Sequence, residues 1–138
     1  MSERTPRIMV AMPLGPDTLT ASTAKATWRA PAGFRGRVLS AQLSLRTTGA
    51  TSGATTVDVN KAPGGASPAT ILPAAKLSIP QGAAGKNAFS IVAGGVGHPN
   101  GVPIDGDQGD TIEVDVDAIP GTASTGAVVF VEIAITNV

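Results

Sequence analysis

The chain has 138 residues, ten basic and ten acidic side chains, and no cysteine. A single domain of this length can bury a sufficient core without disulfides, and the absence of thiols removes cysteine-ligated metal sites and fits assembly in a reducing cytoplasm. The balanced charge gives no field that would attract nucleic acid, and no apolar run approaches the ~20 residues of a membrane helix, so we expect neither as a partner.

The N-terminal residues predict an extended arm. Residues 1–23 contain three prolines and little periodicity, with one short strand expected at 8–12. Two arginines make the arm suited to lie across a partner surface, where strand addition or salt contacts offset the entropy of ordering it. The candidate partner-binding residues in the arm are Arg4, Arg7, Ile8, Val10 and Met12. Residues 24–138 are predicted to form one body domain.

Apolar and polar residues alternate with a period of two through most of this body, which predicts β-strands. The alternation is clearest at 110–117 and through the last ten residues, where every second position is Val or Ile. A long alternating strand is expected at 36–47 (with Leu39 facing inward), and further strands are expected at 25–30, 55–61, 69–72, 76–79 and 87–92. Residues 94–109 are rich in glycine and proline and are predicted to be a loop.

Short strands separated by Gly/Pro turns, without a helical stripe, indicate an all-β domain. Unequal strand lengths and long connections favour a jelly-roll or another Greek-key sandwich over a plain meander. The predicted fold is therefore a jelly-roll-like antiparallel β-sandwich of about eight strands with an extended N-terminal arm.

Side chains that titrate or attack near neutral pH are scarce. His98 is the sole histidine and lies in a turn-forming Gly-His-Pro-Asn-Gly sequence, which favours an exposed loop residue over a base or metal ligand. No serine occupies a Gly-x-Ser-x-Gly elbow, and Gly82–Lys86 lacks the glycine spacing of a phosphate loop. We therefore predict no enzyme, no catalytic residue and no cofactor.

The acidic segment Asp105–Asp110 leaves two interpretations open. Closely spaced carboxylates in a loop suit Ca²⁺, but the ligand pattern departs from an EF-hand, and an acidic turn leading into the next strand is favoured. Glu113, Asp115 and Asp117 follow on one face of that strand. They predict a solvated or partner-facing stripe rather than a paired catalytic acid and base.

Two apolar residues of the last strand lie where alternation predicts polar ones. Val128 and Phe130 either contact a neighbouring subunit or belong to a strand that is buried on both sides. Both are candidate partner-binding residues. The remaining aromatic residues are Trp28, Phe34 and Phe89. The strand-borne Trp28 and Phe89, like Phe130, are as compatible with a core as with a carbohydrate platform.

Three segments together resemble a known class of protein. Thr56–Lys61, Gly109–Asp117 and the final strand at Gly126–Val131, which follows a Gly/Thr-rich turn, resemble the small jelly-roll virion proteins of tailed bacteriophages, of the head decoration, cement or head-fibre type. The resemblance covers about residues 25–136 and carries no catalytic residues.

It implies a non-enzymatic structural protein, often a homotrimer, that is seated on the major capsid protein at the capsid surface of the virion after assembly in the host cytoplasm. The alternative is a receptor- or glycan-binding fibre or tail component with the same fold.

Overall fold

A computed structural model of the chain describes residues 6–15, 18–64, 66–73, 75–92 and 101–136. In the described residues the strands are β1 (Arg7–Pro13), β2 (Ser22–Arg29), β3 (Arg35–Ser44), β4 (Ala54–Ala62), β5 (Ala69–Thr70), β6 (Leu77–Pro80), β7 (Asn87–Ile91), β8 (Val102–Asp105), β9 (Thr111–Ala118) and β10 (Val128–Ile135). One 3₁₀ turn, Gly106–Gln108, joins β8 to β9. No helix in these ranges is long and apolar enough to cross a bilayer.

The strands form two antiparallel sheets that pack face to face. The first sheet has the order β1-β10-β3-β7, with β8 also on β3, and the second has the order β2-β9-β4-β5, with β6 also on β4. Because β7 and β8 share one edge of β3, and β5 and β6 share one edge of β4, the strands fill eight positions. The nested pairs β1–β10, β2–β9, β3–β8 and β4–β5 are those of a rolled-up hairpin, so the fold is the predicted jelly-roll sandwich.

The core lies between the sheets and is built by alternation. On β10, Val129, Val131 and Ile133 are fully buried, and on β9, Ile112 and Val114 are fully buried in the same way. Each such side chain contributes about 1.5–3 kcal/mol when it leaves water. The two central strands therefore hold the sheets together.

The N-terminal segment is extended, as predicted, but it belongs to the sandwich. β1 pairs along its whole length with β10. The exposed fractions of Met12, Leu14 and Leu19 are only 3%, 1% and 3%. In the described residues 6–15 and 18–23, this pairing contradicts the predicted division into an arm at 1–23 and a separate body at 24–138. The apolar side chains of β1 complete the core at a sheet edge that would otherwise leave β10 uncovered.

The prediction that 94–109 is entirely loop was also wrong. Val102 and Ile104 of β8 are buried, while Pro103 between them is exposed, and β8 pairs antiparallel with β3. A proline is tolerated here because β8 lies at a sheet edge. The four-residue alternation was hidden by the surrounding glycines and prolines.

A β-bulge reverses the predicted direction of Leu39. Along β3, Ser40 pairs with Glu132 and Val38 pairs with Ile133, so Leu39 is an extra residue in the ladder. Val38 is therefore the residue that enters the core, with no exposed area. Leu39 lies on the outer face, where it lines a groove described below.

Hydroxyl groups fix the end of the sandwich where the β3–β4 and β9–β10 connections meet. Thr55 Oγ1 donates a hydrogen bond to Ser124 Oγ at 2.9 Å, and both residues are fully buried. Thr47 and Thr125 form a short bridge between the same two connections, and their hydroxyl oxygens lie 2.7 Å apart. The β9–β10 connection is thus held in place by paired polar groups.

A candidate interaction surface

The outer face of the first sheet brings together apolar side chains from three strands. Across β1, β10, β3 and β7, three rows lie side by side: Met9, Glu132, Ser40 and Ile91; Ala11, Phe130, Gln42 and Phe89; Pro13, Val128, Ser44 and Asn87. We define the apolar outer face as Met9, Ala11, Phe89, Ile91, Val128 and Phe130.

This face holds all of the large hydrophobic residues that are exposed in the described part of the chain. Met9, Phe89 and Ile91 retain 58%, 61% and 58% of their exposure. Apolar surface gains about 25 cal/mol for each Å² that a partner removes from water. Met9 lies on the edge strand β1 and Phe89 and Ile91 lie on the opposite edge strand β7, with Phe130 between them on β10. Several exposed apolar side chains on one rigid sheet face are typical of a surface that contacts another molecule.

One end of the face forms a shallow groove of about 310 Å³. Phe89, Ile91 and Leu39 supply its apolar side, and Arg7 and Glu132 supply a charged rim. Arg7 Nη1 lies 3.2 Å from Glu132 Oε1, with the arginine side chain 59% exposed. An ion pair this accessible contributes ~1 kcal/mol or less, so both groups are available to re-pair with a partner.

Two of the predicted partner-binding residues lie on this face. Val128 and Phe130 of β10 are half-buried and point outward, which agrees with the predicted direction. Arg7 lies at the rim. Arg4 is outside the described residues. Contact of any of them with a partner remains a prediction.

The three other predicted partner-binding residues point the other way. Ile8, Val10 and Met12 pair with buried residues of β10 and pack against the core, and Met12 is 3% exposed. They were predicted as partner residues because β1 was taken to be free of the body. The residues of β1 that do face outward, Met9 and Ala11, were missed, although alternation along β1 identifies them once one face is known to be buried.

The outer face of the second sheet is acidic. Asp58 of β4 pairs with Asp115 of β9, and Glu113 and Asp117 lie on the same face. Asp115 is held in place, since Ala24 N donates to its Oδ1 at 2.7 Å and Asn60 Nδ2 donates to its Oδ2 at 2.9 Å. The predicted outward acidic stripe is present, and both oxygens of its Asp115 carboxylate accept hydrogen bonds from the chain itself.

A lysine from the β5–β6 connection reaches this acidic face. Lys76 Nζ lies 2.6 Å from Asp117 Oδ2. The hydrogen bond to Asp117, and then its negative charge, raise the pKa of Lys76 above the ordinary value of 10.5. The face nevertheless keeps an excess of carboxylates.

The carboxylates of the Asp105–Asp110 segment form the turn. Asp105 Oδ1 accepts from Asp107 N at 2.9 Å, Asp107 Oδ1 accepts from Gly33 N at 2.8 Å, and Asp110 Oδ2 accepts from Asp105 N at 2.9 Å. Lys61 Nζ lies 3.5 Å from the same Asp110 oxygen. Among the described residues no three acidic or histidine side chains converge as cation ligands. His98 lies outside the described residues.

Trp28 packs towards the core. It pairs with the buried Ile112 on β9, and its ring meets that of Phe34 edge to face, with centroids 5.7 Å apart. Its ring is therefore partly buried against the core. The exposed ring of the described chain is Phe89.

Comparison of the chain with models of protein families, with curated proteins and with solved structures gives no match. The features available for assigning a function are therefore the jelly-roll fold, the apolar outer face of the first sheet and the acidic outer face of the second. Such an arrangement can adhere through one face while the other remains hydrated.

Proposed function

We propose that the chain is a non-enzymatic structural protein of a virion, which binds the outside of a phage capsid and decorates or cements neighbouring capsid subunits. The observation that carries the proposal is the concentration of Met9, Phe89 and Ile91 on one outer sheet face. The resemblance of Thr56–Lys61 and Gly109–Asp117 to phage virion proteins supplies the class of partner, the major capsid protein.

The two outer faces give this attachment a direction. Burial of the apolar outer face against capsid subunits removes exposed apolar surface, and the strand backbone is already ordered, so only side-chain rotamers remain to be fixed. Carboxylates are costly to desolvate, so the acidic face favours water. We therefore place the first sheet against the shell and the second sheet outward.

Cosedimentation tests this proposal directly. The purified protein is mixed with heads assembled from the major capsid protein encoded in the same genome, and bound protein is measured after pelleting. We expect Phe89→Ser and Ile91→Ser each to weaken binding about 10-fold or more, because each removes a buried apolar contact.

Asp58→Asn and Glu113→Gln are the matched controls, since they change the acidic face alone and are expected to bind as the wild type does. Thermal melts establish that all four variants are folded. Absence of wild-type binding, or equal loss in the acidic-face variants, would contradict the proposal.

One observation favours a second candidate, a glycan-binding fibre or tail component. Phe89 is 61% exposed and borders a groove with Arg7, Glu132 and Ser40, which combines an aromatic ring with polar groups as sugar platforms do. On a glycan array, Phe89→Leu keeps the apolar contact but removes the ring. Glycan binding that this variant abolishes, with capsid binding intact, would favour the second candidate.

A further inference from the structure

The free edge of β1 differs from the other sheet edges. β1 has seven residues in a continuous register with β10, and no charged residue lies between Ile8 and Met12. Exposed strand edges are usually interrupted by bulges, prolines, charges or short length, because an unprotected edge pairs with other strands. The edge of β1 carries none of these along its centre.

The remaining edges of the two sheets are protected in these ways. The register of β2 with β9 shifts between Ser22 and Ala26, and Ala24 between them adopts a positive φ of 47°. The strands β5, β6, β7 and β8 have only two, four, five and four residues, and Pro103 interrupts β8. β1 is therefore the edge most open to pairing in the described chain.

The hydrogen bonds of β1 determine which backbone groups face this edge. Pro6 O accepts from Ile135 N at 2.8 Å, and Leu14 N donates to Ala127 O at 2.9 Å, so the even-numbered residues of the segment bond to β10. In an antiparallel ladder the bonded and non-bonded residues alternate. The N–H and C=O groups of Arg7, Met9 and Ala11 therefore point to the open edge.

We propose that β1 pairs antiparallel with β1 of a second copy of this chain, about a two-fold axis that passes midway between the two Met9 residues. In this register Met9 lies opposite Met9 of the second copy, and Arg7 lies opposite Ala11. Every N–H and C=O group of these three residues then has a partner. A shift towards the C-terminal end would bring Pro13, which has no N–H, opposite Arg7 and leave the Arg7 carbonyl unpaired.

Charge favours the same register. Arg7 is the only charged residue of β1, and it lies opposite the small Ala11 rather than opposite its own counterpart. The two Arg7 residues are four strand positions apart, about 14 Å at 3.4 Å per residue. At that distance solvent ions screen most of their repulsion.

The pairing also joins the two apolar outer faces. Met9, 58% exposed in the single chain, lies beside Met9 of the second copy on the outer surface. One strand pair covers less than the ~800 Å² per partner of a standard stable interface, so we expect a dimer that dissociates on dilution. The inference does not depend on the proposed function, since it requires only the chain itself.

Cysteine crosslinking tests the register, because the chain has no native cysteine. Directly opposed bonded residues have Cα atoms about 5.5 Å apart, within the range that a disulfide spans. We expect Met9→Cys to form a disulfide-linked dimer under mild oxidation. Ala11→Cys, whose two copies lie about 14 Å apart in this register, is expected to remain uncrosslinked.

Sedimentation of the uncrosslinked protein over a range of concentrations tests the association itself. Met9→Pro removes an N–H that bonds to nothing within the sheet, and we expect it to weaken dimerisation about 10-fold or more. Phe89→Ser, remote from the edge, is expected to dimerise normally, which separates this interface from the surface proposed to bind capsids. The proposal is overturned if the wild type sediments as a monomer at the highest concentration or as a trimer. It is also overturned if the two cysteine variants crosslink equally, or if neither crosslinks.

Discussion

Lys61 Nζ lies 3.5 Å from Asp110 Oδ2, and the two side chains keep only 22% and 6% of their exposure. Lys61 is near the end of β4, and Asp110 immediately precedes β9, the strand beside it. The same Asp110 oxygen accepts a hydrogen bond from Asp105 N. The ion pair therefore connects the β8–β9 turn to β4, an inner strand of the second sheet.

Removal of this carboxylate is expected to destabilise the fold. Asp110→Ala leaves Lys61 without its counterion and the Asp105 amide without its acceptor, for a cost of about 2–4 kcal/mol in the free energy of unfolding. Asp117→Ala is the matched control and should change it much less, because its pair with Lys76 is exposed. Urea denaturation at neutral pH measures both, and equal losses would contradict the expectation.

The Lys76–Asp117 pair predicts a pH dependence at the alkaline end. The pKa of Lys76 is raised in the folded chain above the ordinary 10.5, so its contribution is complete below that value and is lost as the pH rises through the folded pKa. NMR titration of Lys76 Nζ should give a midpoint above 10.5, which Asp117→Asn returns towards the ordinary value. An unchanged midpoint in Asp117→Asn would refute the assigned cause.

The buried hydroxyl pair is expected to show strong coupling. Thr55→Val keeps the shape of the side chain but deprives Ser124 Oγ of its donor in a site without solvent, at a cost of about 1–3 kcal/mol. Ser124→Ala removes the acceptor, and the double variant should cost less than the sum of the single changes. Urea unfolding of the wild type, the two single variants and the double variant completes the double-mutant cycle. Additive losses in the free energy of unfolding would mean that the Thr55–Ser124 hydrogen bond contributes little.

Two glycines give a contrast between close approach and open space. A Cβ at Gly106 would overlap the carbonyl oxygen of Pro31, whereas a Cβ at Gly85 meets nothing within 4 Å. Gly106→Ala must move the β2–β3 turn and is expected to cost about 1–3 kcal/mol. Gly85→Ala is expected to be neutral or slightly stabilising. Thermal melting distinguishes them, and equal midpoints would show that the turn yields without cost.

Calcium is expected to leave the protein unchanged. Asp105, Asp107 and Asp110 already accept hydrogen bonds from the backbone of the surrounding turns. Binding of a cation there would compete with those bonds, and at Asp110 with Lys61, for the carboxylate oxygens. A thermal midpoint that is the same with and without millimolar Ca²⁺ agrees with an acidic turn, and a rise that Asp107→Asn abolishes would identify a site instead.

Local alternation was sufficient to predict the long central strands. In β9 the residues that alternation places inward, Ile112, Val114 and Val116, are buried. In β10 Val129, Val131 and Ile133 are buried as alternation predicts, whereas Ile135 at the end of the strand is partly exposed. These strands lie between two neighbours in their sheets, so one face contacts the core along their whole length and the pattern stays regular. The fold class followed from such strands together with the turns between them.

Features that depend on distant pairing were not predicted. The bulge at Leu39 arises from the match of β3 to β10, and the outward direction of Met9 arises from the pairing of β1 with β10. Phe89 is exposed because β7 is a short edge strand, although 87–92 has the composition of a core strand. In each case the deciding contact lies far along the chain, and no local signal reports it.

The nesting of the strands also governs the order in which the molecule can form. Arg7 pairs with Ala134, which follows it by 127 residues, and the inner nested pairs β2–β9, β3–β8 and β4–β5 enclose progressively shorter loops. Topologies dominated by such distant pairings fold slowly, because the loop must close before its contacts form. In a chain still being synthesised, the edge of β3 that pairs with β10 would stay open until β10 emerged from the ribosome, so that an unpaired strand edge is exposed for most of synthesis.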